Sequence, residues 1–175
     1  MATISSPSAA ANCMQPQLIV QLVTLLGLAN GTPVAAKKIL GRRFAQPLDG
    51  NAEFFDGRPI FGHSKTIRGI VLALLATTLG APLIGMGCEL GLLVGGLAMT
   101  GDLTSSFLKR RLNLPPSSRA SGLDQIPEAL FPLLGCRELL PLTIADIGAG
   151  LALFVIGDVV LSRLLYRVHL RDRPY

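Results

Sequence analysis

Charged side chains are scarce in this chain: they make up 15% of its 175 residues, while half of the chain is hydrophobic. A soluble domain carries about one quarter charged residues, so the shortage excludes an ordinary water-soluble globule. With a positive mean hydropathy, the chain reads as an integral membrane protein. Cysteine is almost as sparse. Cys13, Cys88 and Cys136 are odd in number and far apart, which excludes a disulfide framework and a zinc-ligand spacing and leaves them as apolar packing groups. Lysine and arginine are absent before Lys37. No basic n-region therefore precedes the first apolar run, which is expected to be a retained anchor rather than a cleaved signal.

What the chain has is a series of apolar runs, at residues 18–39, 66–81, 83–100, 126–143 and 144–165. Their lengths lie near the lower end of the roughly 17 to 25 residues that a spanning helix needs. The expected fold is an all-α polytopic bundle of about five transmembrane helices with two polar loops, a single membrane domain over 1–175 with an N-terminal tail at 1–16. The fourth run is the weakest, because it holds Pro127, Glu128, Pro132, Arg137, Glu138 and Pro141. A charge at mid-bilayer costs at least about 2.5 to 3.5 kcal/mol, so this run is expected to span as a broken helix or to re-enter. Gly91, Gly95, Gly96 and Gly101, and Gly148, Gly150 and Gly157, fit close packing between helices.

Cations set the orientation. Lys37, Lys38, Arg42, Arg43, Arg58, Lys65 and Arg68 lie in or beside the first loop. Lys109, Arg110, Arg111 and Arg119 follow the third run, and Arg163, Arg167, Arg171 and Arg173 follow the fifth. Only Arg137 falls on the other side. With five spans, the N-terminus is expected outside, and both loops and the C-terminal tail in the cytoplasm, in the cell's inner membrane.

The third run continues into Gly101-Asp102-Leu103-Thr104-Ser105-Ser106-Phe107-Leu108-Lys109-Arg110-Arg111. On a helix, steps of three, four and seven residues place Asp102, Ser105, Ser106 and Lys109 on one face. A carboxylate, two hydroxyls and cations so placed suit Mg²⁺ and phosphate oxygens. A positive-inside flank is the plainer alternative, and it accounts for Arg111.

The first loop, residues 40–65, is longer than a structureless connector usually is. It interleaves Asp49, Glu53 and Asp56 with Arg58 and Lys65 and carries the turn signals Asp56-Gly57 and Phe61-Gly62. Lys65 and Arg68 stand where a helix N-terminus can hold a polyphosphate. Attraction of lipid headgroups to a basic loop is the alternative, which the interleaved acids weaken. His63 reads either as a phosphate contact or as a hydrogen-bonding structural group. Asp124 is equally a helix cap or a partner of Asp102 at a metal. Asn30 and Pro33 are placed to bend the first helix and to hydrogen-bond inside the bundle. Glu89 lies 13 residues before Asp102, roughly 20 Å along a helix, and is excluded from a shared site.

Four segments in order carry a resemblance: Asn30-Gly31-Thr32-Pro33; Asp56-Gly57-Arg58-Pro59 to Lys65-Thr66-Ile67-Arg68-Gly69; Gly101-Asp102 through Ser106-Phe107-Leu108-Lys109-Arg110-Arg111; and Leu123-Asp124-Gln125. Together with the ending at 166–175 they resemble the CDP-archaeol synthase family, and more distantly the CDP-diacylglycerol synthases through Ser106-Phe107-Leu108-Lys109-Arg110. The resemblance implies a five-helix membrane enzyme that uses Mg²⁺, CTP and a lipid phosphate, transfers CMP and releases pyrophosphate among membrane lipids, with no nucleic-acid partner. It implies Asp102, Lys109 and Lys65 as catalytic groups, Asp102 and Asp124 as metal carboxylates, and Asp56, Arg58, Arg68, Ser106 and Arg110 as substrate contacts. Two departures stand out: Ile67 occupies a position where the family usually has tryptophan, a residue this chain lacks altogether, and residues 115–119 read Pro-Pro-Ser-Ser-Arg where the family tends to have glycine. Two rival classes remain. A CDP-alcohol phosphatidyltransferase would show an Asp-Gly-x-x-Ala-Arg run, which is absent; the other is a non-catalytic small membrane protein or a transporter with basic flanks, of which a transporter would show internal repeats or polar groups near mid-bilayer.

Overall fold

A computed structural model describes residues 14–41, 43–114 and 124–167, with side chains described to 163. The tail before residue 14, Arg42, most of the second loop with Arg119, and the C-terminal residues from 168 lie outside the described residues.

Five helices form the bundle: α1 (Pro16–Leu40), α2 (Ile67–Gly80), α3 (Cys88–Arg111), α4 (Gln125–Gly135) and α5 (Ile144–Arg167). Each begins and ends for a local reason. Pro16 opens α1 where its missing N–H costs no helical bond, and Gly41, at a φ of 55°, closes it. Thr66 caps α2 by accepting the Gly69 N–H at 3.2 Å. Lys109, Arg110 and Arg111 fill the last turn of α3, opposite Glu89 in its first, as the macrodipole favours. At the start of α5, Asp146 accepts from the Thr143 N–H and hydroxyl, both at 2.8 Å, while the Asp146 N–H returns to the Thr143 hydroxyl at 3.1 Å. This reciprocal cap also accepts the Gln15 N–H at 2.9 Å, tying the beginnings of α1 and α5 together.

α3 is the central element, packed on α1, α2 and α4, while α1 also packs on α2 and α5. Small residues set the spacing. A Cβ at Gly91 would lie 2.7 Å from that of Ala81, and one at Gly101 would lie 2.7 Å from the Glu128 Cα. The expected packing role is therefore observed for Gly91 and Gly101, where α2 and α4 cross α3, but not for Gly96, Gly148 and Gly157, where a Cβ would meet nothing within 4 Å. Leu22, Leu25, Leu26, Val94, Ala98 and Leu133 fill the core. The outward faces are apolar too, with Val20, Leu75, Leu79, Leu92, Ile156 and Val160 exposed. Such a surface suits lipid as the solvent.

Among the described residues, four helices are long and apolar enough to cross a membrane, the second of them running on through a 3-10 turn at Pro82–Ile84. The fourth run forms only α4, 11 residues long, followed by a 3-10 turn at Cys136–Glu138. Its rise of about 16 Å covers roughly half of a hydrocarbon core. The third helix also differs from its apolar run. It begins at Cys88 rather than at 83, because Pro82 and Gly85 turn the chain, and it continues through Arg111 instead of ending at 100. Its charged end stays helical because Ser105, Ser106, Lys109 and Arg110 are buried under neighbouring elements.

Candidate active site

The continuous helix through Asp102 makes the expected face real. Ser105, Ser106, Lys109 and Arg110 are all buried. Ser105 spends its hydroxyl on the Asp102 carbonyl at 3.0 Å, so its contribution is local to the helix. The Asp102 carboxylate takes the Lys65 ammonium on both oxygens, at 2.6 and 2.5 Å. Thr66 caps α2 immediately after Lys65, so the cap fixes where the lysine leaves the loop.

Beneath this pair lies a carboxylate that was expected only as a cost to membrane crossing. Glu128 is 3% exposed, held by the close approach of α4 at Gly101. It is hydrogen-bonded by the Asn30 side chain and lies in the electrostatic field of Asp102, Lys65 and Asp158. Its Oε1 is buried and has no hydrogen-bond partner among the described residues. Asp158 in α5 accepts the Gln125 side-chain amide at 2.8 Å. Asn30, Lys65, Asp102, Glu128 and Asp158 thus form one polar layer drawn from α1, the first loop, α3, α4 and α5. The expectation that Asn30 would hydrogen-bond within the bundle is met.

A second ionic cluster uses the last turn of α3. Lys109 Nζ lies 2.8 Å from Asp124 Oδ1, and Arg110 feels the same carboxylate. Asp124 occupies the position before α4 but makes no side-chain cap bond. Its side chain serves the cations instead. Asp102 and Asp124, expected as a shared metal pair, therefore sit on separate cations, and among the described residues no three His, Cys, Asp or Glu groups cluster for a metal.

The first loop is clamped over the end of α3. Two isolated antiparallel bridges, Pro47 with Thr66 and Glu53 with Pro59, fold it back on itself. Asp49 organises the turn by accepting the N–H groups of Phe61 and Gly62 at 2.9 Å and that of Asn51 at 3.1 Å. Partial burial alone would raise the Asp49 pKa, but these donors together hold it below the ordinary value. Gly62, at a φ of 88°, lies buried against Arg110, where a Cβ would stand 4.0 Å from the Arg110 Cδ. Arg58 donates to the Arg111 carbonyl at 2.8 Å, satisfying the free end of α3. Arg111 donates to Asp56 and to the Pro59 carbonyl, both at 2.7 Å, and its guanidinium lies 4.7 and 4.9 Å from the ring centres of Phe54 and Phe107.

The predicted residues consequently fall into two groups. Asp102, Lys65, Lys109, Arg110, Ser106 and Asp124 line the buried side of the α3 end. Asp56, Arg58 and Arg68 are engaged in the loop, the last donating to the Gly41 carbonyl at 3.2 Å and to the Arg43 carbonyl. Arg111, assigned from sequence to a positive flank, is instead the hub of the clamp. His63 is exposed, and Glu89 stands in the first turn of α3, at the end away from the site. Sequence reasoning missed Glu128, Asp158 and Gln125 as site residues. Asp158 carried a signal, since an acid inside an apolar span marks a functional position by default.

The comparisons with known proteins agree with this architecture. Residues 81–175 match the family model described as CarS-like, CDP-archaeol synthase. A CDP-archaeol synthase of Pyrobaculum calidifontis is 33% identical over 169 residues, covering 90% of this chain and 98% of the relative. One from Pyrococcus furiosus is 41% identical over 107 residues, covering 55% of this chain and 60% of the relative. A solved structure of an intramembrane enzyme for archaeal membrane lipid biosynthesis shares the fold, with a TM-score of 0.61 at 24% identity over 78% of this chain and 90% of that one. The family match spans more than half of the sequence and the Pyrobaculum relative aligns nearly end to end, so the chain belongs to the CDP-archaeol synthase family.

Proposed function

We propose that this chain is a CTP-dependent cytidylyltransferase that moves CMP from CTP onto the phosphate of an archaeal ether lipid, forming CDP-archaeol in membrane lipid biosynthesis. Family membership carries the activity. The observation that carries the site is the buried face of α3, where Asp102, Ser106, Lys109 and Arg110 lie beneath the first loop. A lipid phosphate oxygen attacks the α-phosphorus of CTP in line. The new P–O bond forms as the bond to the β-phosphate breaks, and pyrophosphate leaves. No general base is needed, because the lipid phosphate is already ionised at neutral pH.

Lys65, Lys109 and Arg110 are assigned to the phosphates, where preorganised cations stabilise charge developing on the transferred group. Arg58, Arg68 and Asp56 are assigned an indirect part, shaping the first loop that covers the nucleotide. The residues fit Mg²⁺. Asp102 and the unpartnered Glu128 Oε1 offer hard oxygen donors, and Mg²⁺ asks for only one or two carboxylates beside the substrate's phosphates. When bound there, or at Asp124, the ion supplies neutralisation of the triphosphate and of the leaving pyrophosphate. The N-terminus is placed outside and the site toward the cytoplasm, the side on which the cations gather.

The test is direct. Purified protein in lipid nanodiscs is given Mg²⁺, CTP labelled in the cytidine, and lipid phosphates with ether or ester linkages. The expected result is label in an ether lipid with one pyrophosphate released per transfer. Pyrophosphate without labelled lipid across the whole panel would overturn the assignment.

A further inference from the structure

A cleft of about 400 Å³ runs between α1 and α5, within the roughly 300–1,000 Å³ of ordinary ligand sites. Its apolar wall reaches from Val23 to Lys38 along α1, roughly 22 Å at the rise of a helix. Two observations distinguish it from a packing defect. Gly27, Gly31 and Gly157 line it, and a Cβ added at any of them would meet nothing within 4 Å, so the cleft is open where these residues lack side chains. It is also continuous with the site. Asn30 and Asp158 line the cleft, and both belong to the layer around Glu128 that faces Asp102 and Lys65.

We infer that this cleft receives one hydrocarbon chain of the acceptor lipid, with Lys38 at its mouth meeting the acceptor's phosphate. The inference rests on the proposed transfer to a lipid phosphate. Its occupant is fixed by the form and charge of the cleft. The apolar wall matches a chain that remains in the bilayer, and the positive charge of Lys38 at the end where α1 finishes matches an anionic headgroup. Asp158 is the one acid on the lining, and the Gln125 amide donates to it, which reduces its repulsion of an incoming phosphate. The acceptor then enters sideways from the membrane and meets CTP at the loop-covered end of α3.

Gly31→Leu and Gly157→Leu fill the cleft without striking a neighbour at Cβ, and leucine favours helix over glycine, so both variants should fold. In nanodiscs, the ratio of kcat/KM for a long-chain diether glycerol phosphate to that for a four-carbon-chain analogue is expected to fall at least about tenfold, with the KM for CTP unaltered. Lys38→Gln is expected to raise the KM for both acceptors several-fold. An unaltered long-to-short ratio in both leucine variants would overturn the inference, as would an equal loss on both acceptors together with a raised KM for CTP. Loss of self-association in the leucine variants with an unaltered ratio would assign the cleft to a second copy of the chain and likewise overturn it.

A lipid phosphate carrying a diazirine on its chain reads occupancy without turnover. Crosslinks concentrated at residues 23–38 and 154–161 and abolished by Gly31→Leu are expected, whereas even labelling around the bundle would overturn the inference. Failure of the wild-type protein to make any CDP-lipid would count against the transferase reading alone, since the crosslinks still report on the cleft.

Discussion

Two sets of charges flank the end of α3, and they differ in what they are bonded to. At the rim, Arg58 and Arg68 donate to backbone carbonyls, and Arg111 is shared among Asp56, the Pro59 carbonyl and two aromatic rings. Most of their donors go into holding the first loop in one shape, while Arg68 Nε and Arg111 Nε are buried without a hydrogen bond among the described residues. In the interior, the cations face carboxylates, Lys65 on Asp102 and Lys109 on Asp124, and Glu128 keeps a buried oxygen without a hydrogen bond. Buried atoms without a hydrogen bond occur in both sets, but the interior's includes a carboxylate oxygen on the almost fully buried Glu128, and a buried acid kept at a cost in stability marks a place where it is used. The interior layer is therefore the working part and the rim its scaffold, although the two have the same residue types.

The strongest challenge to this division is Asp102→Asn. Loss of one electrostatic stabiliser at the reacting centre is expected to lower turnover by at least roughly 100-fold. Near wild-type kcat in the labelled-CTP assay would move Asp102 into the scaffold. Glu128→Gln sharpens the same point more gently, since it keeps the shape and an oxygen for Asn30 while replacing the second carboxyl oxygen by an amide nitrogen that cannot ligate Mg²⁺. Groups that support a metal site typically cost 10- to 100-fold in affinity when altered. A Mg²⁺ titration of turnover should accordingly shift by about tenfold, and an unaltered half-saturation would show Glu128 to be only a packing residue. At the rim, a double-mutant cycle of Arg111→Gln and Asp56→Asn, read by thermal unfolding in detergent, should give a coupling of about 0.5–1 kcal/mol with turnover within about threefold of wild type. A loss of turnover comparable to that of Asp102→Asn would erase the distinction between rim and interior.

How much of this was readable in the sequence follows from the range over which each signal acts. The shared face of Asp102, Ser105, Ser106 and Lys109 was legible because helical periodicity links residues three to seven apart. The family motifs were legible as ordered segments, and the apolar runs located α1, α2 and α5 to within two residues but stopped 11 residues short of the end of α3 and overran that of α4 by eight. The partners of the cations were not legible. Lys65 meets Asp102 across 37 positions, and Arg111 meets Asp56 across 55. No local period connects such pairs, and only the crossing of α3, α4 and the loop decides them. Glu128 was visible as a charge in an apolar segment, but its meaning depended on Gly101, whose missing side chain lets α4 come close enough to bury that carboxyl within the electrostatic field of Asp102. Asp158 stood out as an acid inside an apolar span, but its partner Gln125 lies 33 positions away, beyond any local period.

The smallest expected effect concerns how the rim keeps its shape as pH varies. The backbone donors of Phe61, Gly62 and Asn51 hold the Asp49 carboxyl below its usual pKa of 3.8, outweighing the opposing effect of burial. A depressed carboxylate contributes stability that is fully present above its unfolded pKa and is lost as pH falls through the folded value. The loop should therefore be equally ordered from neutral pH down to about 5 and loosen only below about 4. Hydrogen exchange of the 58–65 segment, corrected for the intrinsic pH dependence of exchange, measures this directly. Wild-type protection should fall on acidification, while Asp49→Asn should begin less protected and lose the acid-dependent step. If both proteins follow the same curve, the order of the first loop comes from the Arg58 and Arg111 clamp alone, and the rim is held from the side of α3 rather than from within the loop.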